Sequence, residues 1–218
     1  MRPRSLTPDL LIRAYAAGVF PMADRRDEAR LRWIDPPMRG IIPLASFHAP
    51  RRLLRTVRHG GFDVRCDTAF DTVIRACADS RPETWLNDDI IRAYGELQAE
   101  ELAHSVECWR DDQLVGGLYG VALGAAFFGE SMFSLETDAS KVALVHLAAR
   151  LVAGGFTLLD VQFVTPHLER FGAIEIPRAD YQARLAEALE REAVFQRDGG
   201  GGVGVVLAAF RQSSTQTS

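Results

Sequence analysis

A chain of 218 residues, 47% apolar and 25% charged, is long enough to bury a full core in one domain with a smaller appendage, the profile of a soluble globular protein. Its formal charge of −4 is too mild for a protein that coats nucleic acid by bulk charge. No run of about 18 uninterrupted apolar residues occurs, and the opening MRPRSLTPDL lacks an apolar segment with a small-residue cleavage site, so neither secretion nor membrane spanning is expected.

Thr7, Pro8 and Asp9 read as an N-cap, a first-turn proline and an acidic first turn, opening a helix over 10–17 that Gly18 ends. Pro36 and Pro37 mark a boundary, after which Arg39 to Pro43 resumes as a strand, so a small N-terminal unit is expected before about residue 38. Arg51, Arg52, Arg55 and Arg58 then fall at helical spacing, with Leu53, Leu54 and Val57 as the apolar side. Such a face is either simply solvated or a patch that grips phosphates through guanidinium geometry.

Next come a strand over 62–66, a helix over 67–78, an Arg- and Pro-containing loop reaching Trp85, and a helix capped by Asn87 that runs to about Glu100. His104 to Arg110 reads as a strand, Leu114 to Leu123 as its hairpin partner, and Ala125 to Phe133 as a third strand. Asp138 or Ser140 begins a helix over 141–153 with an apolar stripe of Leu144, Leu147, Ala148 and Leu151, ended by Gly154 and Gly155. A strand over 156–164, a short helix after Thr165 and Pro166, and a helix from Tyr181 to Glu192 complete the regular elements before the glycine run. The four glycines within 198–202 lack the Lys–Ser/Thr of a phosphate loop and read as a flexible connection to a last strand, with a frayed tail after it. The pattern predicts an α/β (α+β) fold, a mixed sheet flanked by helices.

Cys66, Cys77 and Cys108 form no close pair, which suits a reducing cytoplasm. His48, His59, His104, His146 and His167 are scattered without metal-site spacing, and no metal is expected.

The chemistry concentrates between residues 114 and 163. Period-two alternation in the strand over 156–164 puts Leu158, Asp160 and Gln162 on one face and Leu159, Val161 and Phe163 on the other. Two neighbouring polar groups in an apolar strand cost several kcal/mol unless hydrogen-bonded, so either loop backbone satisfies them or they serve a site. Glu130, at a strand end, is placed to pair with Arg or receive an ammonium. Ser131 has no visible His–Asp partner, and Lys141 is the single lysine. Leu118, Met132, Leu144, Leu147, Leu151 and Leu159 either line a pocket or form core, and Tyr15, Tyr94, Trp33 and Trp85 are suited to stacking or to packing.

The segments LLIRAYAAGVFP (10–21), WIDPPMRGIIP (33–43), AHSVECW (103–109), LVGGLYGV (114–121), FGESMFS (128–134), DASKVAL (138–144), LLDVQ (158–162) and GAIEIPR (172–178) together resemble the leucyl/phenylalanyl-tRNA–protein transferase family. The resemblance implies transfer of Leu or Phe from aminoacyl-tRNA to the α-amino group of proteins beginning with Arg or Lys, an N-degron for protein degradation. It implies a small N-terminal domain over 1–38, a GNAT-like aminoacyltransferase domain over 39–212 and a flexible tail over 213–218. The implied partners are Leu-tRNA, Phe-tRNA and acceptor proteins, in the cytoplasm, with no cofactor, no DNA and no membrane.

By the same resemblance Asp160, Gln162 and Glu130 are catalytic, and Leu118, Phe127, Met132, Leu144, Leu147 and Leu159 form the pocket for the aminoacyl side chain. Arg51, Arg52, Arg55 and Arg58 would hold the tRNA, and Tyr15, Met22, Trp33, Trp85, Tyr94, Ser131 and Thr165 would bind the terminal adenosine or the acceptor peptide. Met22 stands where relatives often carry Trp, and Thr165 where an Asn is seen. A carboxamide takes no proton at neutral pH, so Gln162 is cast as a positioner fixed by Asp160, with a ribose hydroxyl or water carrying the proton. A CoA-dependent acyltransferase would need a Gly-rich pyrophosphate loop where this chain has TDASK (137–141).

Overall fold

In the computed structural model the described residues are 6–22, 31–80, 86–197, and 204, 205, 207, 208 and 210. Trp85, the glycine run and the tail over 213–218 lie outside them.

The N-terminal signals act as their chemistry dictates. α1 (Pro8–Ala16) starts behind Thr7, whose hydroxyl accepts from the Leu10 N–H, and it buries Leu11 and Tyr15. A short antiparallel pair comes next, β1 (Phe20–Met22) with β2 (Arg32–Ile34), which no alternation in the sequence announces. β3 (Met38–Ile42) then enters the main sheet, and α2 (Arg51–His59) buries Leu53 and Leu54 while its four arginines face solvent.

The rest of the chain supplies β4 (Asp63–Cys66), α3 (Phe70–Asp79), α4 (Asp88–Ala99), β5 (Ala103–Arg110), β6 (Gln113–Leu123) and β7 (Ala126–Ser134). It continues through α5 (Ala139–Ala153), β8 (Leu158–Gln162), α6 (Pro166–Glu169), β9 (Ile174–Pro177) and α7 (Arg178–Leu189). Seven strands form one mixed sheet in the order β4-β5-β6-β7-β8-β3-β9. Alternating side chains feed two cores. Leu118, Phe127 and Leu159 join α2 and α5 on one face, whereas Tyr119, Phe128 and Leu158 join α1, α3, α4 and α7 on the other.

Three expectations change. β9 is an extra strand, held as an edge by β3. α7 begins at Arg178, three residues ahead of Tyr181, directly after Pro177. The expected last strand is helical where it is described, at 204, 205, 207, 208 and 210, and it seats Leu207 and Phe210 against the α5 face. Among the described residues no helix is long and apolar enough to cross a membrane.

β7 and β8 are the sheet's parallel pair, joined by the α5 crossover, and they stay in register only from Ala126↔Leu158 to Phe128↔Asp160. Each strand then carries one extra residue. Against β6, Glu130 is skipped between Gly129 and Ser131; against β3, Val161 is skipped between Asp160 and Gln162. The strands therefore part at their carboxyl ends, where open α/β sheets place ligands.

Gly40 of β3 keeps the second bulge tight, since a Cβ there would lie 2.8 Å from the carbonyl carbon of Phe163 and 2.9 Å from the Val164 nitrogen. Gly40→Ala should lower stability by about 1–3 kcal/mol, read as a lower urea midpoint at unchanged m-value. An unchanged midpoint would show that this backbone yields without strain.

Candidate active site

The gap between β7 and β8 opens into a cleft of about 820 Å³. Its apolar wall comes from Leu118, Met132, Leu144, Leu147, Leu159 and Val161, and its polar wall from Glu130, Ser131 and Gln162. Phe20, Pro21 and Met22 of β1 form one rim, with Phe163 packed edge-on to Phe20 at 5.8 Å. Thr165, Lys141 and His167 stand at another rim.

Asp160 anchors this arrangement from beneath. It is wholly buried and does not line the cleft, because Arg39 grips it in a bidentate pair, Nε to Oδ1 at 2.9 Å and Nη2 to Oδ2 at 2.7 Å. The Tyr181 hydroxyl donates to Oδ2 at 2.7 Å, and the backbone N–H of Gln162 donates to Oδ1 at 2.8 Å. Arg39 is itself wedged between the rings of Phe20 and Tyr181, 4.5 Å from each centroid, and donates to the Gly18 carbonyl at 3.0 Å. Burial alone would lower its pKa, yet the hydrogen bonds and charge of Asp160 leave it raised.

Gln162 sits at φ +58°, and the Phe163 N–H reaches the Val161 carbonyl at 2.6 Å across it, a tight γ-turn of the rarer, strained hand. Strict alternation along β8 therefore ends at Asp160. Gln162 is not its same-face neighbour on a regular strand; it is turned into the cleft while Asp160 holds its backbone.

Across the gap, Gln162 Nε2 donates to Glu130 Oε1 at 3.3 Å. Tyr15 donates to the same oxygen at 2.7 Å and Tyr94 to Oε2 at 3.1 Å. Removal from water pushes the Glu130 carboxyl up to about 7, against the two tyrosine hydrogen bonds that pull it down; the charge of Asp160 adds to the rise and Arg39 opposes it. Burial, and after it the nearby Glu130 charge, raises both tyrosines well above their ordinary value, so their hydroxyls remain donors.

Several sequence assignments change with this geometry. Tyr15 and Tyr94 are fully buried and serve Glu130, so neither is available to stack on a base or peptide. Phe127 is also fully buried and packs on Phe156 and Phe195, outside the cleft lining. Leu151 is core, and Trp33, exposed on β2 opposite Pro21, does not line the cleft. Met22, Ser131 and Thr165 do line it, and Thr165 also caps α6 by accepting from the Leu168 N–H at 3.3 Å. Sequence patterning gives Arg39, Tyr181, Val161 and His167 no place in the site. An arginine among the apolar residues of β3 is the one available signal for the first.

An apolar wall facing a polar wall that carries a carboxyl group and a carboxamide is an arrangement that suits transfer of an acyl group. Residues 41–186 match the family model described as leucyl/phenylalanyl-tRNA protein transferase, and residues 4–37 match the model of its N-terminal domain. The chain is 65% identical to the leucyl/phenylalanyl-tRNA–protein transferase of Paramagnetospirillum magneticum over 201 residues, 91% of this chain and 95% of that protein. It is 59% identical to that of Caulobacter vibrioides over 96% of this chain and 99% of the relative, and 55% identical to one from Cereibacter sphaeroides over the full length of both. The chain belongs to the leucyl/phenylalanyl-tRNA–protein transferase family.

Two measurements probe the buried network. Arg39→Met leaves Asp160 without its cation and should cost about 3–5 kcal/mol in urea unfolding; a loss under about 1 kcal/mol would mean the pair is dispensable. For Glu130 the ordinary carboxyl value is 4.5 and the folded value about 7. Between these the folded protein holds a proton that the unfolded chain has released, so the stabilisation is full below about pH 4.5 and is lost as pH rises through about 7. Glu130→Gln cannot ionise, so its stability relative to the unsubstituted protein should improve by about 3 kcal/mol between roughly pH 4.5 and 8. A pH-independent difference would contradict the raised pKa.

Proposed function

We propose that this protein transfers Leu or Phe from the 3′ end of aminoacyl-tRNA to the α-amino group of proteins that begin with Arg or Lys. The observation that carries the reading is the apolar wall facing the Glu130–Gln162 pair across the gap between β7 and β8. Leu118, Met132, Leu144, Leu147 and Leu159 would surround the side chain of the transferred residue. The exposed Arg51, Arg52, Arg55 and Arg58 of α2 would track acceptor-stem phosphates, which needs few charges and fits a mildly acidic protein. With aminoacyl-tRNA as donor, the enzyme works in the cytoplasm. Its units are an N-terminal one to residue 38, an aminoacyltransferase unit of GNAT-like kind over 39–212, and a tail over 213–218.

The reaction is aminolysis of an ester. Gln162 turns its N–H group to Glu130, which leaves its carbonyl oxygen to accept from the incoming amine and aim the lone pair at the ester carbon. An α-amine, with a usual pKa of about 7.7–8.0, is partly neutral near pH 7. As its nitrogen bonds to the carbonyl carbon and the bond to the ribose oxygen breaks, Glu130, in place of the ribose hydroxyl or water expected from the sequence, takes the nitrogen's proton and returns it to that oxygen. A carboxyl group near pH 7 is matched to both halves of the exchange. Asp160 acts from beneath the cleft, by fixing the Gln162 backbone and by adding its charge to the rise of the Glu130 carboxyl.

Incubation with labelled Leu-tRNA should label peptides beginning with Arg or Lys and not those beginning with Ala; no transfer to Arg or Lys peptides would sink the reading. Glu130→Gln should lower kcat by about 10²-fold or more and remove the acid limb of the pH profile. Asp160→Asn should lower kcat with little change in KM for the donor. Intact turnover in that variant would overturn its positioning role.

A further inference from the structure

The cleft is larger than one aminoacyl side chain and one amine require, and its far rim has a different chemistry from either wall. Lys141, the chain's single lysine, lines this rim and pairs with Asp138 Oδ1 at 2.5 Å. Asp138 is also claimed by Arg52 of α2, through Oδ2 at 3.3 Å. One carboxylate thus answers two cations, and Glu136, the remaining acid on this rim, is already paired with Arg110 at 2.8 Å. Among the described residues that line the cleft, Lys141 is the one ammonium or guanidinium, held at the rim by Asp138.

His167 stands beside this cluster. Its Nε2 is buried and has no hydrogen-bond partner among the described residues, although the ring lines the cleft. Burial, then Lys141, then Arg170, hold its pKa below the ordinary value. A ring nitrogen without a partner, on a residue that lines the cleft near Lys141, is a group that a ligand entering the cleft would complete. Arg52, bound to the second oxygen of Asp138, brings the basic face of α2 up to this rim.

We infer that Lys141 and His167 form a phosphate subsite that holds the phosphodiester on the 5′ side of the donor's terminal adenosine. The inference rests on the reading of the donor as aminoacyl-tRNA, whose nearest charged group beyond the transferred residue and its nucleoside is that phosphodiester. Lys141 supplies a point charge, and His167 Nε2 supplies a hydrogen bond once the anion favours its protonated form. Asp138 divides its two oxygens between Lys141 and Arg52, so an entering anion replaces a carboxylate at Lys141 that Arg52 continues to hold.

The test compares two minimal donors, 3′-O-leucyl-adenosine and the same ester carrying a 5′-methylphosphate, each with an Arg-initiated peptide. The unsubstituted protein should favour the phosphate-bearing donor by about tenfold in kcat/KM. Lys141→Met and His167→Gln should each reduce that ratio several-fold, both together should bring it near unity, and Lys141→Arg should retain most of it. A merely structural role would depress both donors alike and leave the ratio standing, and that result would overturn the subsite. If the unsubstituted protein uses neither these donors nor Leu-tRNA, the transferase reading itself has failed; if it uses both donors equally, only the subsite has.

Discussion

Everything that positions the cleft leads back to the buried pair of Arg39 and Asp160. Neither group has solvent, so each depends on the other and on a complete set of polar partners. The pair obtains them from four parts of the chain: Gly18 after α1, β3, β8 and α7. An ion pair of this kind does little for net stability against an apolar substitute of equal volume, but it fixes geometry, because any shift of one element leaves a charge unanswered. It ties the N-terminal unit, through Gly18 and Phe20, to the strand that presents Gln162.

With β8 held in this way, the sheet opens at one defined place. A parallel pair that continued past Phe128 and Asp160 would close the space between β7 and β8. One extra residue in each strand ends the pairing, and the two extra residues fall at Glu130 and Val161. The same irregularities that open the cleft aim its polar side chains, since a bulge bends its strand and rotates the residues after it. The strained turn at Gln162 persists because Asp160 holds its N–H and Gly40 admits its backbone closely.

The regular elements are legible in the sequence because their signals are local. Thr7 before Pro8 and Asn87 before an acidic turn cap the helices they precede, and the arginines of α2 declare an exposed face by spacing alone. Glu130, Asp160 and Gln162 stand out as polar residues in apolar strands. How they divide their work is not legible. Arg39 lies 121 positions from Asp160, and Tyr15 lies 115 from Glu130, distances over which periodicity carries no information. Bulges defeat the period-two rule where it matters, so alternation assigns Gln162 to the face of Asp160, and two buried tyrosines have the look of stacking surfaces until their partner is known.

The two carboxylates show why composition cannot settle their roles. Asp160 is wholly buried and Glu130 half-buried in the cleft wall, and their fates diverge through their partners. Asp160 meets a guanidinium, whereas Glu130 meets only neutral donors, two tyrosine hydroxyls and a carboxamide. Neutral hydrogen bonds steady a carboxylate without replacing the hydration it has lost, so the Glu130 proton affinity climbs to about 7. A carboxyl group held by tyrosines with its proton affinity near pH 7 is matched to proton exchange there. The fold thus uses the same functional group twice, once tied to a guanidinium that holds β8 in place and once held by neutral donors at the cleft wall.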